Sequence, residues 1–61
     1  MKDRNKRTIH VMDAVKWHDP EESARDLSRI YTVYRTSGET VLIADEYSEA
    51  EVLPKELEVV S

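Results

Sequence analysis

The sequence predicts a small, mainly β domain built from five short antiparallel strands. Two runs rich in β-branched and aromatic residues, 31–36 and 40–45, flank a polar stretch that contains Gly38, the single glycine of the chain. This pattern is typical of a β-hairpin, because glycine adopts positive φ angles without steric cost and the flanking residues favour strands. Further short apolar runs before and after the hairpin supply the other three strands.

The length and composition exclude several classes of protein. A chain of 61 residues makes one domain, and such a domain buries only about 60% of its unfolded surface. Without cysteine it has neither disulfides nor thiolate metal sites. No apolar run approaches the roughly 20 residues of a membrane span, and the charged start leads into no apolar signal-peptide core. We therefore expect a cytoplasmic protein without membrane contact.

The net charge of −4 is unevenly distributed along the chain. Residues 2–7 are mostly basic, whereas residues 39–58 carry seven acidic side chains and one lysine. An acidic half repels a phosphate backbone, so a nucleic-acid partner is less favoured than a protein partner.

The first part of the chain divides into an arm and a strand. Residues 1–7 have no apolar side chain after Met1, which predicts a disordered basic arm before a single domain over 8–61. In the next stretch, 9–17, apolar side chains stand at Ile9, Val11, Val15 and Trp17, the alternation of a half-buried strand. Asp13 and Ala14 interrupt it, so a turn or bulge is expected there.

The stretch 20–29 leaves two alternatives open. Asp19 before Pro20, followed by two glutamates, is typical of a helix start. A helix this short is marginal without tertiary packing. The sequence therefore predicts either one short helix over 20–29 or an irregular charged loop.

The register of the hairpin also stays open. A two-residue turn at Ser37–Gly38 pairs Tyr34 with Val41, whereas a loop one residue longer pairs Val33 with Ile43. Both faces of these strands carry apolar groups, so the hydrophobic pattern does not choose between them.

Two more strands are expected after the hairpin, at 49–53 and 57–60. Glu49 and Glu51 are expected to point outward from the first of them. Pro54 separates the two strands, because proline cannot donate to a strand ladder.

These elements resemble a small Src-homology-3-like barrel over residues 9–60. The residues that carry the resemblance are Val15-x-Trp17, Tyr31-x-Val33, Val41-x-Ile43 and the stretch 52–59. The resemblance implies a short helical turn between the last two strands, with Leu57 folded back into the core. The chain also resembles small bacterial, phage or mobile-element proteins with Trp-x-Asp-Pro and Glu-x-x-x-Leu-Pro-x-Glu-Leu segments, here 17–20 and 49–57. No activity follows from that second resemblance.

Neither catalysis nor metal binding is indicated. A metal site would need His10, Asp13, His18 and Asp19 to converge on one point, and their spacing does not imply this. The serines stand in polar or terminal contexts without a recognisable base and orienting partner. We therefore predict no enzymatic activity, no metal and no cofactor.

Binding is the remaining function. Trp17 and Tyr31 are expected to be mostly buried, which leaves the other two aromatic residues as contacts beside the acidic stretch. The sequence predicts a non-catalytic protein-binding module of unknown partner, with self-association as one form of it. Its predicted contact residues are Tyr34, Asp45, Glu46, Tyr47, Glu49 and Glu51.

The alternative is a small barrel that binds nucleic acid. Such proteins stack bases on aromatic side chains and place cations along the backbone. Arg25, Arg29, Arg35 and the basic arm would supply the cations.

Overall fold

The computed structural model describes residues 1–18 and 29–60. The elements are β1 (Ala14–Trp17), β2 (Tyr31–Ser37), β3 (Thr40–Ala44), β4 (Glu49–Val52), a 3-10 helix (Pro54–Glu56) and β5 (Leu57–Val59). The strands form a single antiparallel sheet in the order β4-β3-β2-β1-β5. The predicted class, a mainly β domain of five antiparallel strands, is confirmed.

The core lies on one face of this sheet, where alternate residues of every strand point inward. Its fully buried members are Val15, Val33, Val41, Ile43 and Leu57. Leu57 follows the 3-10 helix and points into the core, as expected. Burying a side chain of this kind contributes roughly 1.5–3 kcal/mol, so these few residues dominate the stability of the domain.

The two aromatic residues expected to be buried differ in exposure. Tyr31 is buried, whereas Trp17 is half-buried and packs against the edge of the core. Their rings meet edge to face with centroids 6.0 Å apart, a favoured geometry for aromatic pairs. Trp17 therefore holds Tyr31 in place at the border of the core.

The hairpin follows neither predicted register throughout. Val33 pairs with Ile43, as in the longer loop, but Ser37 pairs with Thr40, so the turn consists of Gly38 and Glu39. Tyr34 is the extra residue where the register shifts, and such a β-bulge bends the strand and redirects side chains. Gly38 has φ 57°, the conformation for which glycine is suited.

The strand predicted over 9–17 is shorter than expected. Ile9 is buried, but Val11 is 53% exposed and Met12 has φ 78°. This positive φ turns the chain, so the apolar alternation before it does not continue one strand. The segment still docks on β2, since Met12 N donates to Val33 O at 2.7 Å and Val33 N donates to Asp13 O at 2.9 Å.

The segment predicted to be a disordered arm forms hydrogen bonds with β5 in the structure. Arg4 N donates to Leu57 O at 2.9 Å, and Val59 N donates to Asp3 Oδ2 at 2.7 Å. The Arg7 guanidinium donates to Val59 O at 3.0 Å. Because β5 lies at the edge of the sheet, its outward polar groups need partners, and this segment supplies them.

The predicted helix or loop over 20–29 lies outside the described residues except for Arg29. Arg29 and Ile30 lead into β2 without regular secondary structure. The last two strands end one residue earlier than expected, at Val52 and Val59. Among residues 1–18 and 29–60, no helix is long and apolar enough to cross a membrane.

Candidate functional site

An open groove lies where the segment before β2 meets the loop between β3 and β4. Its volume is about 430 Å³. Thr32 and Ala44, neighbours in the β2–β3 ladder, form part of its wall. The lining residues are Arg29, Ile30, Thr32, Tyr34, Ala44, Asp45, Glu46 and Tyr47.

Asp45 shapes the loop that forms one side of this groove. Its Oδ1 accepts hydrogen bonds from the backbone N–H groups of Tyr47 and Ser48, both at 2.8 Å. Its own N–H donates to Ser48 O at 2.8 Å. Aspartate favours such turns because its side chain can bond to the backbone two residues further on. The turn presents Tyr47 to solvent, where it is 81% exposed.

Arg29 lies among two tyrosines and a carboxylate. Its guanidinium donates to Asp45 Oδ2. The guanidinium carbon lies 5.4 Å from the ring centroid of Tyr31 and 5.9 Å from that of Tyr47, both within the range of about 6 Å for cation–π attraction. The Arg29 side chain remains 40% exposed, whereas that of Asp45 is 9% exposed.

Asp45 carries its negative charge at neutral pH. Partial burial would by itself raise the pKa of this carboxyl group. The hydrogen bonds from Tyr47 and Ser48 and the charge of Arg29 outweigh that effect and hold the pKa below its ordinary value. The groove therefore combines a fixed anion with aromatic surface.

The solvent face of the sheet continues from the groove. Leu42 pairs with Arg35 on one side and with Glu51 on the other, and residues that pair across strands share a face. In the next row Ala44 pairs with Glu49. Glu49 and Glu51 thus lie on this face beside the groove, outside its lining.

The structure brings together most of the predicted contact residues. Tyr34, Asp45, Glu46 and Tyr47 line one groove. Tyr34 is 57% exposed, so both tyrosines expected on the surface lie there. Their role in binding stays a prediction.

Two of the three arginines predicted for nucleic-acid binding lie in the described part of the chain. Arg29 is bound to Asp45 inside the groove, and Arg35 lies on the sheet face beside Leu42. Arg25 lies outside the described residues. The basic arm is hydrogen-bonded to β5, which is separated from β2 by β1.

Sequence reasoning missed two parts of the groove. Ile30 adds exposed apolar surface to the rim, and no periodic pattern marked it because it precedes the strand. The pairing of Arg29 with Asp45 joins residues 16 positions apart, which no local motif reveals. Asp45-x-Tyr47-Ser48 did carry a usable turn signal.

The two histidines lie beside different carboxylates. His18 Nε2 lies 2.8 Å from Glu58 Oε1, and His10 Nδ1 lies 3.7 Å from Asp13 Oδ2. In the described part of the chain, no three metal-ligating side chains of histidine, aspartate or glutamate converge. Asp19, the fourth candidate ligand, lies outside it.

Comparisons with known proteins give no relative from which to argue. No protein-family model, curated protein or solved structure matches the chain. The functional argument therefore depends on the geometry of the groove.

Proposed function

We propose that this chain is a non-catalytic binding module whose contact surface is the groove and the adjoining sheet face. The observation that carries the proposal is the pair of exposed tyrosines, Tyr34 and Tyr47, beside the ionised Asp45 and its neighbour Glu46. Tyrosine is enriched in protein interfaces because it buries a large apolar ring and still offers a hydroxyl group. The carboxylates favour a partner with cationic side chains.

The size of the groove favours a peptide segment as the partner. A volume of about 430 Å³ falls within the range of roughly 300–1,000 Å³ found for small ligand sites. It accommodates a few side chains, and the row of Arg35, Leu42 and Glu51 extends the contact surface across three strands.

For the fold we infer a Src-homology-3-like barrel. Three features support this: the strand order β4-β3-β2-β1-β5, the 3-10 helix between the last two strands, and the buried Leu57 that follows this helix. In this reading the groove lies beside the end of the connection between β1 and β2, where Arg29 and Ile30 line it.

Binding of single-stranded nucleic acid is the weaker alternative. Tyr34 and Arg35 are adjacent and exposed, which favours base stacking beside a cation. Against it, the groove carries Asp45 and Glu46 on its rim, and carboxylates repel phosphates.

A titration followed by amide chemical shifts separates these two functions. The probes are a lysine- and arginine-rich peptide, an acidic peptide, and single-stranded and duplex oligonucleotides. We expect the basic peptide alone to shift the amides of Tyr34, Ala44, Glu46 and Tyr47. Shifts with the oligonucleotides that weaken steeply as salt rises, through counterion release, would favour the alternative, and no shift with any probe would overturn the proposal.

A pair of charge variants provides the matched control. Glu46→Gln removes a charge from the groove rim, whereas Glu39→Gln removes the same charge from the hairpin turn. We expect only Glu46→Gln to weaken binding of the basic peptide. Equal losses in both variants would show that net charge, and not the groove, attracts the peptide. Self-association is checked by the sedimentation of the free protein.

A further inference from the structure

We propose that the groove contains a binding site for an arginine side chain of the partner, and that Arg29 occupies this site in the free protein. The inference rests on the proposed function and deepens it, since it names the group that the groove recognises. The intramolecular Arg29 is then a competitor that the partner displaces.

The surroundings of Arg29 are those of a guanidinium site. The guanidinium carbon lies 5.4 Å from the Tyr31 ring centroid and 5.9 Å from that of Tyr47, while the guanidinium donates to Asp45 Oδ2. Two aromatic rings and one carboxylate supply what a flat, weakly hydrated cation needs, namely π surface and a hydrogen-bond acceptor.

The site does not depend on Arg29 for its shape. Tyr31 is buried in the core and is held by the ring of Trp17. Asp45 is held by three hydrogen bonds within its own loop. These contacts remain when Arg29 leaves, so the buried ring and the carboxylate stay in place for another cation.

Arg29 is well placed to exchange. Its side chain is 40% exposed, and it belongs to the segment that enters β2 without regular secondary structure. Asp45 is only 9% exposed, so its carboxylate needs a cationic partner, and a guanidinium from outside restores the pair when Arg29 leaves. Tyr47, the outer wall of the site, is itself largely exposed and leaves a path for a side chain from outside.

The partner can bind only while Arg29 is out of the site. Its apparent affinity is therefore the intrinsic affinity multiplied by the fraction of time during which the site is open. Removing Arg29 should therefore strengthen the binding of an external guanidinium. The partner's arginine must supply the same contacts with the two rings and Asp45, which explains why the groove would select arginine over lysine.

The first test uses methylguanidinium as the probe at about 10 mM, a concentration suited to the weak affinity of a single side chain. When methylguanidinium is added to Arg29→Gln, we expect saturable chemical-shift changes at the amides of Tyr47 and Ser48. The melting temperature of this variant should be higher with the probe than without it. Arg4→Gln removes an exposed cation from the segment bonded to β5, outside the groove lining, and serves as the matched control. Equal responses in the two variants and the parent would overturn the proposal.

The second test uses short peptides that contain one arginine, one lysine or one citrulline, whose urea group has the shape of guanidinium without its charge. We expect Arg29→Gln to bind the arginine peptide about tenfold more tightly than the parent does, if the site is open about a tenth of the time. The citrulline peptide should bind Arg29→Gln no more tightly than it binds the parent. An unchanged or weaker affinity for arginine in Arg29→Gln would overturn the inference.

A third measurement uses the parent protein, so that the test does not depend on the folding of a variant. The Arg29 side-chain Nε–H signal should move when the arginine peptide binds, because the guanidinium leaves Asp45. If a basic peptide shifts the groove amides while the Arg29 signal stays fixed, the proposed function stands and the displacement mechanism is wrong. If no basic peptide binds at all, the proposed function itself is wrong.

Discussion

Two aspartates of this domain each close a local turn with one carboxylate oxygen and hold different partners with the other. Asp3 Oδ1 accepts from the N–H groups of Asn5 and Arg7, both at 2.8 Å. Asp45 Oδ1 accepts from those of Tyr47 and Ser48. In both turns the second carboxylate oxygen remains available for a residue distant in sequence.

The two turns differ in the partner of this second oxygen. Asp3 Oδ2 accepts from Val59 N, 56 residues along the chain, and Asp3 is only 5% exposed. Asp45 Oδ2 accepts from the half-exposed guanidinium of Arg29. The first bond joins two segments of the chain at a buried position, whereas the second joins a side chain that solvent and ligands can reach. An aspartate that closes a turn therefore serves structure beside β5 and, in our proposal, recognition in the loop between β3 and β4.

The largest expected effect comes from removing the buried turn. Asp3→Ala leaves Val59 N–H without its acceptor at a buried position, and an unsatisfied buried group costs about 1–3 kcal/mol. We expect the free energy of unfolding, measured by urea denaturation, to fall by that amount. Asp45→Ala should cost less, since solvent can reach the groups that lose their partner. A larger loss for Asp45→Ala would reverse our assignment of the two roles.

The pH dependence of stability provides a second comparison. Burial alone would raise the pKa of Asp3, but backbone hydrogen bonds from Val59, Arg7 and Asn5, together with the charge of Arg7, hold it below its ordinary value of 3.8. A carboxyl group with a lowered folded-state pKa stabilises the protein above its unfolded-state pKa, and this contribution is lost as the pH falls through the folded-state value. Asp45 contributes with the same sign.

We therefore expect acid unfolding to begin below about pH 4, near the unfolded-state pKa of aspartate. Asp3→Asn should flatten this dependence, because the amide does not titrate and its NH₂ group cannot accept from Val59 N. Urea midpoints measured at several pH values would show this. An unchanged slope in Asp3→Asn would mean that Asp3 titrates alike in the folded and unfolded chain.

Much of the fold could be predicted from the sequence, because its signals are local. The β-branched and aromatic residues of β2 and β3 indicate the hairpin, and Pro54 marks the break before β5. The register could not be predicted: the bulge at Tyr34 compensates for a short turn, and apolar residues on both faces fit several pairings. The positive φ of Met12 left no signal either, since methionine is not typical of that conformation.

The candidate site was predictable only in part, for a related reason. Tyr34 and Tyr47 could be assigned to the surface because a small core has room for few aromatic residues. Asp3 could not be identified as a buried residue, since its decisive partner is Val59 at the other end of the chain. In a run of charged residues, nothing in the sequence distinguishes an aspartate that accepts three backbone hydrogen bonds from one exposed to solvent.

The next prediction concerns the groove alone. Asp45→Asn keeps an oxygen that can accept from Tyr47 and Ser48 but removes the charge that holds Arg29. We expect a smaller loss of stability than in Asp3→Asn and a weaker affinity for the arginine peptide, measured by calorimetric titration. Retained affinity would show that the rings alone hold the cation.

The smallest effect on stability is expected from Tyr47→Ala. Tyr47 is 81% exposed, and substitutions at such positions usually change the free energy of unfolding by no more than about 0.5 kcal/mol. Its ring nevertheless faces the guanidinium at 5.9 Å, so the variant should lose affinity for the arginine peptide. Tyr34→Ala is the matched comparison, because Tyr34 is also an exposed tyrosine of the groove lining but has no cation–π contact with Arg29 among the described residues. We expect Tyr34→Ala to lose less affinity, since its ring contacts the partner without facing the guanidinium. If the two variants lose affinity equally, the groove recognises its partner through general aromatic contact, and the site around Arg29 has no special role.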